Sequence, residues 1–179
     1  MRDILLPKAF NSPSLGQLSW EEVLGKVVWF LSLDESASYD LIIGTDSEAQ
    51  NGSADFVSAI IVHKKGRGGV YFWGRQTVSH LYSLKERIWH EASISLVMAQ
   101  NLVDDSAKIG LFDPSTRSGA SGQAGLGQVF NLEIHVDIGP NGKTRELIAD
   151  IVGMIRASGF RVATKPTSWG ASHVADRHV

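Results

Sequence analysis

The spacing of apolar residues along the chain changes rhythm several times, and each change predicts an element. Ser19-Trp20-Glu21-Glu22 places a serine three residues before a glutamate, the pattern in which side chains and backbone cap each other at a helix start. Val23, Val27, Phe30 and Leu31 then recur at helical spacing, predicting a helix that ends between Ser32 and Ser38. Asp40 to Ser47 breaks that rhythm. Leu41, Ile42 and Ile43 are consecutive, so the segment reads as a central strand buried on both faces, with Asp46 near its end. Phe56 to His63 and Val70 to Arg75 are two further strands, reached through the turn signals Asn51-Gly52-Ser53 and Lys64-Lys65-Gly66-Arg67-Gly68-Gly69. Connections this short force antiparallel pairing, so the three strands form a meander.

Ser83-Leu84-Lys85-Glu86 is a second capping box. Along the helix it opens, Leu84, Ile88, Glu91, Ser95, Met98 and Leu102 share one face, on which Glu91 is an acidic interruption. From about 104 to 130 the chain is rich in Gly and Ser and poor in core-filling residues, and reads as a long loop with a short strand or turn at Ile109 to Phe112. Leu132 to Ile138 predicts a fourth strand, again with an Asp, Asp137, near its end. Lys143 to Ser158 predicts a helix closed by Gly159, Phe160 to Thr164 a fifth strand, and Ala171 to His178 a short last helix carrying Asp176. Residues 1–18 read as an irregular arm. The two β-α-β units imply parallel pairing with right-handed crossovers. The expectation is an α/β domain over residues 38–179, with a mixed five-stranded sheet made of a three-strand antiparallel meander and two parallel strands. Helices cover both faces, and an N-terminal arm and extra helix, residues 1–37, pack on it.

Composition narrows the chemistry. Cysteine is absent, which excludes thiolate zinc sites and thiol nucleophiles. A formal net charge of −2 excludes a broadly basic surface, so a nucleic-acid contact needs local basic patches or bound cations. Lys64, Lys65 and Arg67 at a hairpin tip are one such patch, with a solvated turn as the plainer reading. No apolar run is long enough to span a bilayer, and a cytoplasmic protein is expected. Gly139-Pro140-Asn141-Gly142-Lys143-Thr144 lies between a strand and a helix but lacks the glycine spacing of a phosphate-cradling loop. His90, His135 and His173 lie near acidic positions without metal-binding spacing.

Strands one and four are expected to be parallel neighbours, which brings Asp46 and Asp137 to the same edge of the sheet. Two carboxylates there repel each other unless a cation lies between them. Magnesium suits such a place, since a few carboxylates hold it while waters and phosphate oxygens complete its shell.

Thr45-Asp46-Ser47 after an apolar strand, the acidic helix, the strand-four Asp and Val174-Ala175-Asp176-Arg177 resemble, in this order, the motifs of the ribonuclease H family. More closely, Ile43-Gly44-Thr45-Asp46-Ser47, Lys85-Glu86-Arg87-Ile88-Trp89-His90-Glu91, Glu133-Ile134-His135-Val136-Asp137-Ile138-Gly139 and Lys165-Pro166-Thr167-Ser168 resemble the YkuK-like bacterial proteins, an uncharacterised branch of the ribonuclease H-like superfamily. The resemblance spans about residues 38–103 and 130–179. It implies a ribonuclease H-like fold and Asp46, Glu91, Asp137 and Asp176 as catalytic, metal-ligating carboxylates. It also implies Mg²⁺ or Mn²⁺ as cofactor, and RNA, DNA or a hybrid as the substrate of a two-metal phosphodiester hydrolysis. Ser47 stands where that family commonly has glycine, and Glu86 is a second acid on the same helix, better suited to the cap. Two other readings stay open: a non-catalytic nucleic-acid or protein binding module on this fold, and a nucleotide-binding protein using the loop before the third helix.

Overall fold

β3 (Tyr39–Gln50) is apolar on both faces because both faces are covered. In the computed structural model, which describes residues 6–34, 36–81, 83–108, 121–123, 129–139 and 145–179, it is the middle of a mixed eight-stranded sheet. On one side it pairs antiparallel with β4 (Ser53–Lys64), which pairs antiparallel with β5 (Gly68–Ser79). On the other side it pairs parallel with β7 (Val129–His135), which pairs parallel with β8 (Arg161–Ala163). The meander and the two parallel strands are as the sequence predicts.

The sheet is wider than expected. Phe10–Ser12 (β1) and Gly16–Leu18 (β2) form a hairpin whose β1 pairs with the β5 edge at Asn11↔Trp73. The irregular arm is therefore corrected to an edge hairpin. Its strands are three residues each and carry no readable alternation, which is why the pattern hides them. Gly74 makes room for the incoming chain: a Cβ there would stand 2.5 Å from Pro7 Cβ. A further short strand, β6 (Ser121–Gln123), pairs with the start of β7 inside the segment expected to be a loop. The expected strand or turn at Ile109 to Phe112 lies outside the described residues.

α1 (Trp20–Ser32) begins at Ser19, whose side chain and Glu22 cap each other as predicted. α2 (Leu84–Lys108) begins with the matching Ser83–Glu86 box and runs further than expected, through Lys108. A 3-10 turn at Arg145–Leu147 leads into α3 (Ile148–Ala157). These helices and one sheet face share the main core, in which Val23, Val27, Leu41, Ile43, Ile60, Met98, Leu102, Ile134 and Ile151 are buried. Ile42, Val57, Ala59 and Ile61 line the other face. It is covered by the C-terminal segment, a π-helical turn Gly170–Ala175 followed by a 3-10 turn Asp176–His178, through Val174, Ala175 and Val179. The last helix is thus irregular, yet it closes the second face as an ordinary helix would. Among the described residues no helix is long and apolar enough to cross a membrane.

Candidate active site

β3 and β7 run side by side up to the pair Gly44↔His135. Asp46 and Asp137 each lie two residues beyond it, at the same end of neighbouring parallel strands. Alternation along β3 sends Asp46 to the face shared with Ile42, whereas Thr45 and Ser47 face α2. Ser95 Oγ donates to Thr45 Oγ1 at 2.9 Å, and Thr45 and Ser58 are hydrogen-bonded at 2.9 Å, so buried hydroxyls set α2 against the sheet. One helical turn before Ser95 on that face, Glu91 reaches the end of β3 and is 7% exposed. Ser47 Oγ donates to Glu91 Oε1 at 2.6 Å. The fourth acid arrives from the opposite face: Asp176, exposed on the C-terminal turn, lies near Asp46, whose carboxyl its side chain and charge help to raise.

The four carboxyls act on one another electrically. Burial raises Asp46 from 3.8 to about 6, opposed by a hydrogen bond from the Ser47 backbone and reinforced by the charges of Asp137 and Asp176. Burial raises Glu91 from 4.5 to about 8. The Ser47 bond and the Arg87 charge oppose this, and Asp46 and Asp137 add to it. Asp137 has one oxygen engaged, Oδ2, by Lys165 Nζ at 2.9 Å; its Oδ1 is buried with no hydrogen-bond partner. Among the described residues no three such donors already close around a single point, so the acids are neighbours rather than a finished cage. Glu86 is bound to the Ser83 backbone and hydroxyl at 3.0 Å each, the cap role expected of it.

Residues 22–179 match the model of the family described as Ribonuclease H-like. The chain belongs to the ribonuclease H-like family. It is 31% identical over 174 residues to the Uncharacterized protein YkuK of Bacillus subtilis (strain 168), an alignment covering 94% of this chain and 95% of that one, and so belongs with the YkuK-like proteins. It is also similar to the crystal structure of RNase H1 from the halophilic archaeon Halobacterium salinarum NRC-1. That match has a TM-score of 0.32 and 11% identity, and covers 78% of this chain and 99% of the other. So loose an overlap says nothing about chemistry.

Other candidates in this ribonuclease H-like chain fall outside the cluster. His135 is buried beneath the C-terminal turn: the Gly170 N–H donates to its Nδ1 at 3.0 Å, and its Nε2 faces Glu133 Oε2 at 3.3 Å. A backbone N–H can only donate, so Nδ1 is the unprotonated nitrogen and the ring is a neutral anchor. His90 packs on Phe56 and His173 is exposed on the π-helical turn. Lys64 and Lys65 pair with Asp34 and Asp40 at 2.7 and 3.3 Å. Their hairpin tip lies at the Tyr39 end of β3, seven residues from Asp46 and thus about 23 Å along the strand. The Pro140 to Thr144 loop lies outside the described residues. Two site members were not singled out for a role in the sequence, Lys165 and the Ser47 hydroxyl. Both sit inside quoted motifs, but only the fold shows what they touch.

Proposed function

We propose that the chain is a metal-dependent nuclease that hydrolyses phosphodiester bonds in nucleic acid. The observation that carries this reading is the crowding of Asp46, Glu91, Asp137 and Asp176 at one end of β3 and β7, with a buried Asp137 oxygen left without a partner. Asp46 and Glu91, which burial and neighbouring acids hold back from ionising, mark a place where added positive charge is favoured. The donors are all carboxylate oxygens, which fits Mg²⁺ or Mn²⁺ rather than a softer ion. Asp46, Glu91, Asp137 and Asp176 would hold the metal, Glu91 and Asp176 reaching it from opposite faces of the sheet. Bound divalent ions would supply an activated water and take up charge on the leaving oxygen. The chain's own part is to hold the acids: Ser47 aims Glu91, and the C-terminal turn delivers Asp176 to Asp46.

The test is cleavage of labelled RNA, DNA and RNA–DNA hybrid in Mg²⁺ or Mn²⁺ by the wild type and by Asp46→Asn. Divalent-dependent cleavage that falls by about a hundredfold or more in the variant is expected. Equal rates in the two proteins would remove the assignment.

The ion pair between Lys165 and Asp137 favours a second reading, a nucleic-acid binding module whose cluster is neutralised by its own lysine. It predicts nucleic-acid binding without divalent uptake, which calorimetric titration with Mn²⁺ distinguishes.

A further inference from the structure

Lys165 is placed by three independent contacts. Its backbone N–H donates to the Ile138 carbonyl at 2.8 Å, which fixes it beside the residue that follows Asp137. Its aliphatic stem lies over Gly139, where an added Cβ would stand 3.1 Å from Lys165 Cβ, so the lack of a side chain there opens the way. Its ammonium reaches Asp137 Oδ2 at 2.9 Å. The charges of Asp46 and Asp176 also favour the ammonium there. Yet the lysine side chain is 52% exposed while that of Asp137 is 22% exposed, which leaves the long stem an open path into solvent.

A unit positive charge held on one oxygen of the Asp137 carboxylate opposes a further cation on the same group. We propose that Lys165 is a placeholder cation of the carboxylate cluster: it holds Asp137 in the free protein, so that the free cluster takes up one divalent ion and admits another only after the ammonium leaves. A substrate phosphate is the anion that would draw it away, since its oxygens offer the lysine a partner as good as Asp137. Lys165 is in this sense a positioning residue for the charge of the site, and the inference rests on the metal-dependent reading above.

Titration of the full chain with Mn²⁺, followed by calorimetry and by electron paramagnetic resonance, tests it in the wild type, Lys165→Met, Lys165→Arg and Asp46→Asn. One ion per chain is expected in the wild type and in Lys165→Arg. Two are expected in Lys165→Met, the second gaining about tenfold or more in affinity and giving the signal of a coupled manganese pair. Lys165→Gln must give the same result as Lys165→Met, and melting by circular dichroism identifies any variant that fails to fold. Equal ion counts in the wild type and in both neutral variants, with uptake abolished by Asp46→Asn, would overturn the lysine inference and leave the nuclease reading intact. No uptake by any of the proteins would overturn both.

Discussion

Ser47 donates its hydroxyl to Glu91 Oε1 at 2.6 Å, across the contact between the end of β3 and α2. Glu91 is 7% exposed, so this bond is a large part of what replaces water around its carboxyl. Arg87 steadies the other partner, since its Nη1 donates to the Ser47 carbonyl at 3.3 Å. Ser47→Ala is expected to destabilise the fold by about 1–3 kcal/mol, the usual cost of leaving a buried acceptor without its donor. Urea denaturation at pH 7 measures it. A midpoint unchanged from wild type would mean that Glu91 finds another donor, and that the serine is incidental.

The raised carboxyls give stability a definite pH dependence. Asp46 and Glu91 bind protons more tightly when folded, at about 6 and about 8, than at their ordinary values of 3.8 and 4.5. Their contribution is therefore complete below those ordinary values and is lost as pH rises through the folded ones. Without divalent ions, Glu91→Gln should flatten the fall in melting temperature between about pH 4.5 and 8 and should be the more stable protein at pH 8. Added Mg²⁺ should raise the wild-type melting temperature more at pH 8 than at pH 5, because it binds the ionised carboxyls. A wild-type melting curve parallel to that of Glu91→Gln across this range would show that Glu91 ionises normally.

His135 pulls the other way. Burial lowers its pKa, against the raising effects of the Glu133 hydrogen bond and charge and of the Asp40 charge. Its neutral ring accepts from Gly170, so its contribution is present above its ordinary value of 6.5 and fades as pH falls toward the lower folded one. Gly170 sits so close that a Cβ would stand 2.6 Å from Ile42 Cγ2 and 3.1 Å from His135 Nδ1. Gly170→Ala should cost about 1–3 kcal/mol by overpacking, and amide exchange from Val174 to Asp176 should quicken before the strands respond. Uniform exchange rates across the variant and wild type would place the anchor elsewhere.

Much of this arrangement was legible in the chain itself. The consecutive apolar run at Leu41 to Ile43, the short turns after Gln50 and Lys64, and the two β-α-β units fix the central strands and their directions. The strand ends then bring Asp46 and Asp137 together by register alone. Contacts that depend on side-chain reach were not legible: Ser47 on Glu91, Lys165 on Asp137, and Gly170 under His135 join residues 28 or more positions apart in sequence. The edge hairpin escaped because three-residue strands are shorter than the window in which alternation can be seen. Ser47 reads as a departure from the family pattern until its partner is known, and then as the residue that holds the helical acid.

Asp176 depends on how firmly the last turn is tied down, and that tie is aromatic. His178 stacks on Trp73, with ring centroids 4.3 Å apart and planes 7° from parallel, and its carbonyl accepts from Arg75 Nη2. Val174, Ala175 and Val179 pack on the same sheet face, so the stack closes a short apolar cover. His178→Ala should cost about 0.5–1.5 kcal/mol and should shift the Trp73 emission toward the red as water reaches the ring. Because the turn also carries Asp176, loosening it should weaken Mn²⁺ uptake and slow cleavage several-fold, while His178→Phe, which keeps a stacking ring, should restore both. The pairing of readouts decides the matter. A red-shifted Trp73 with unchanged ion uptake would show that Asp176 lies outside the working set of acids, and an unshifted Trp73 that the stack does not hold the turn.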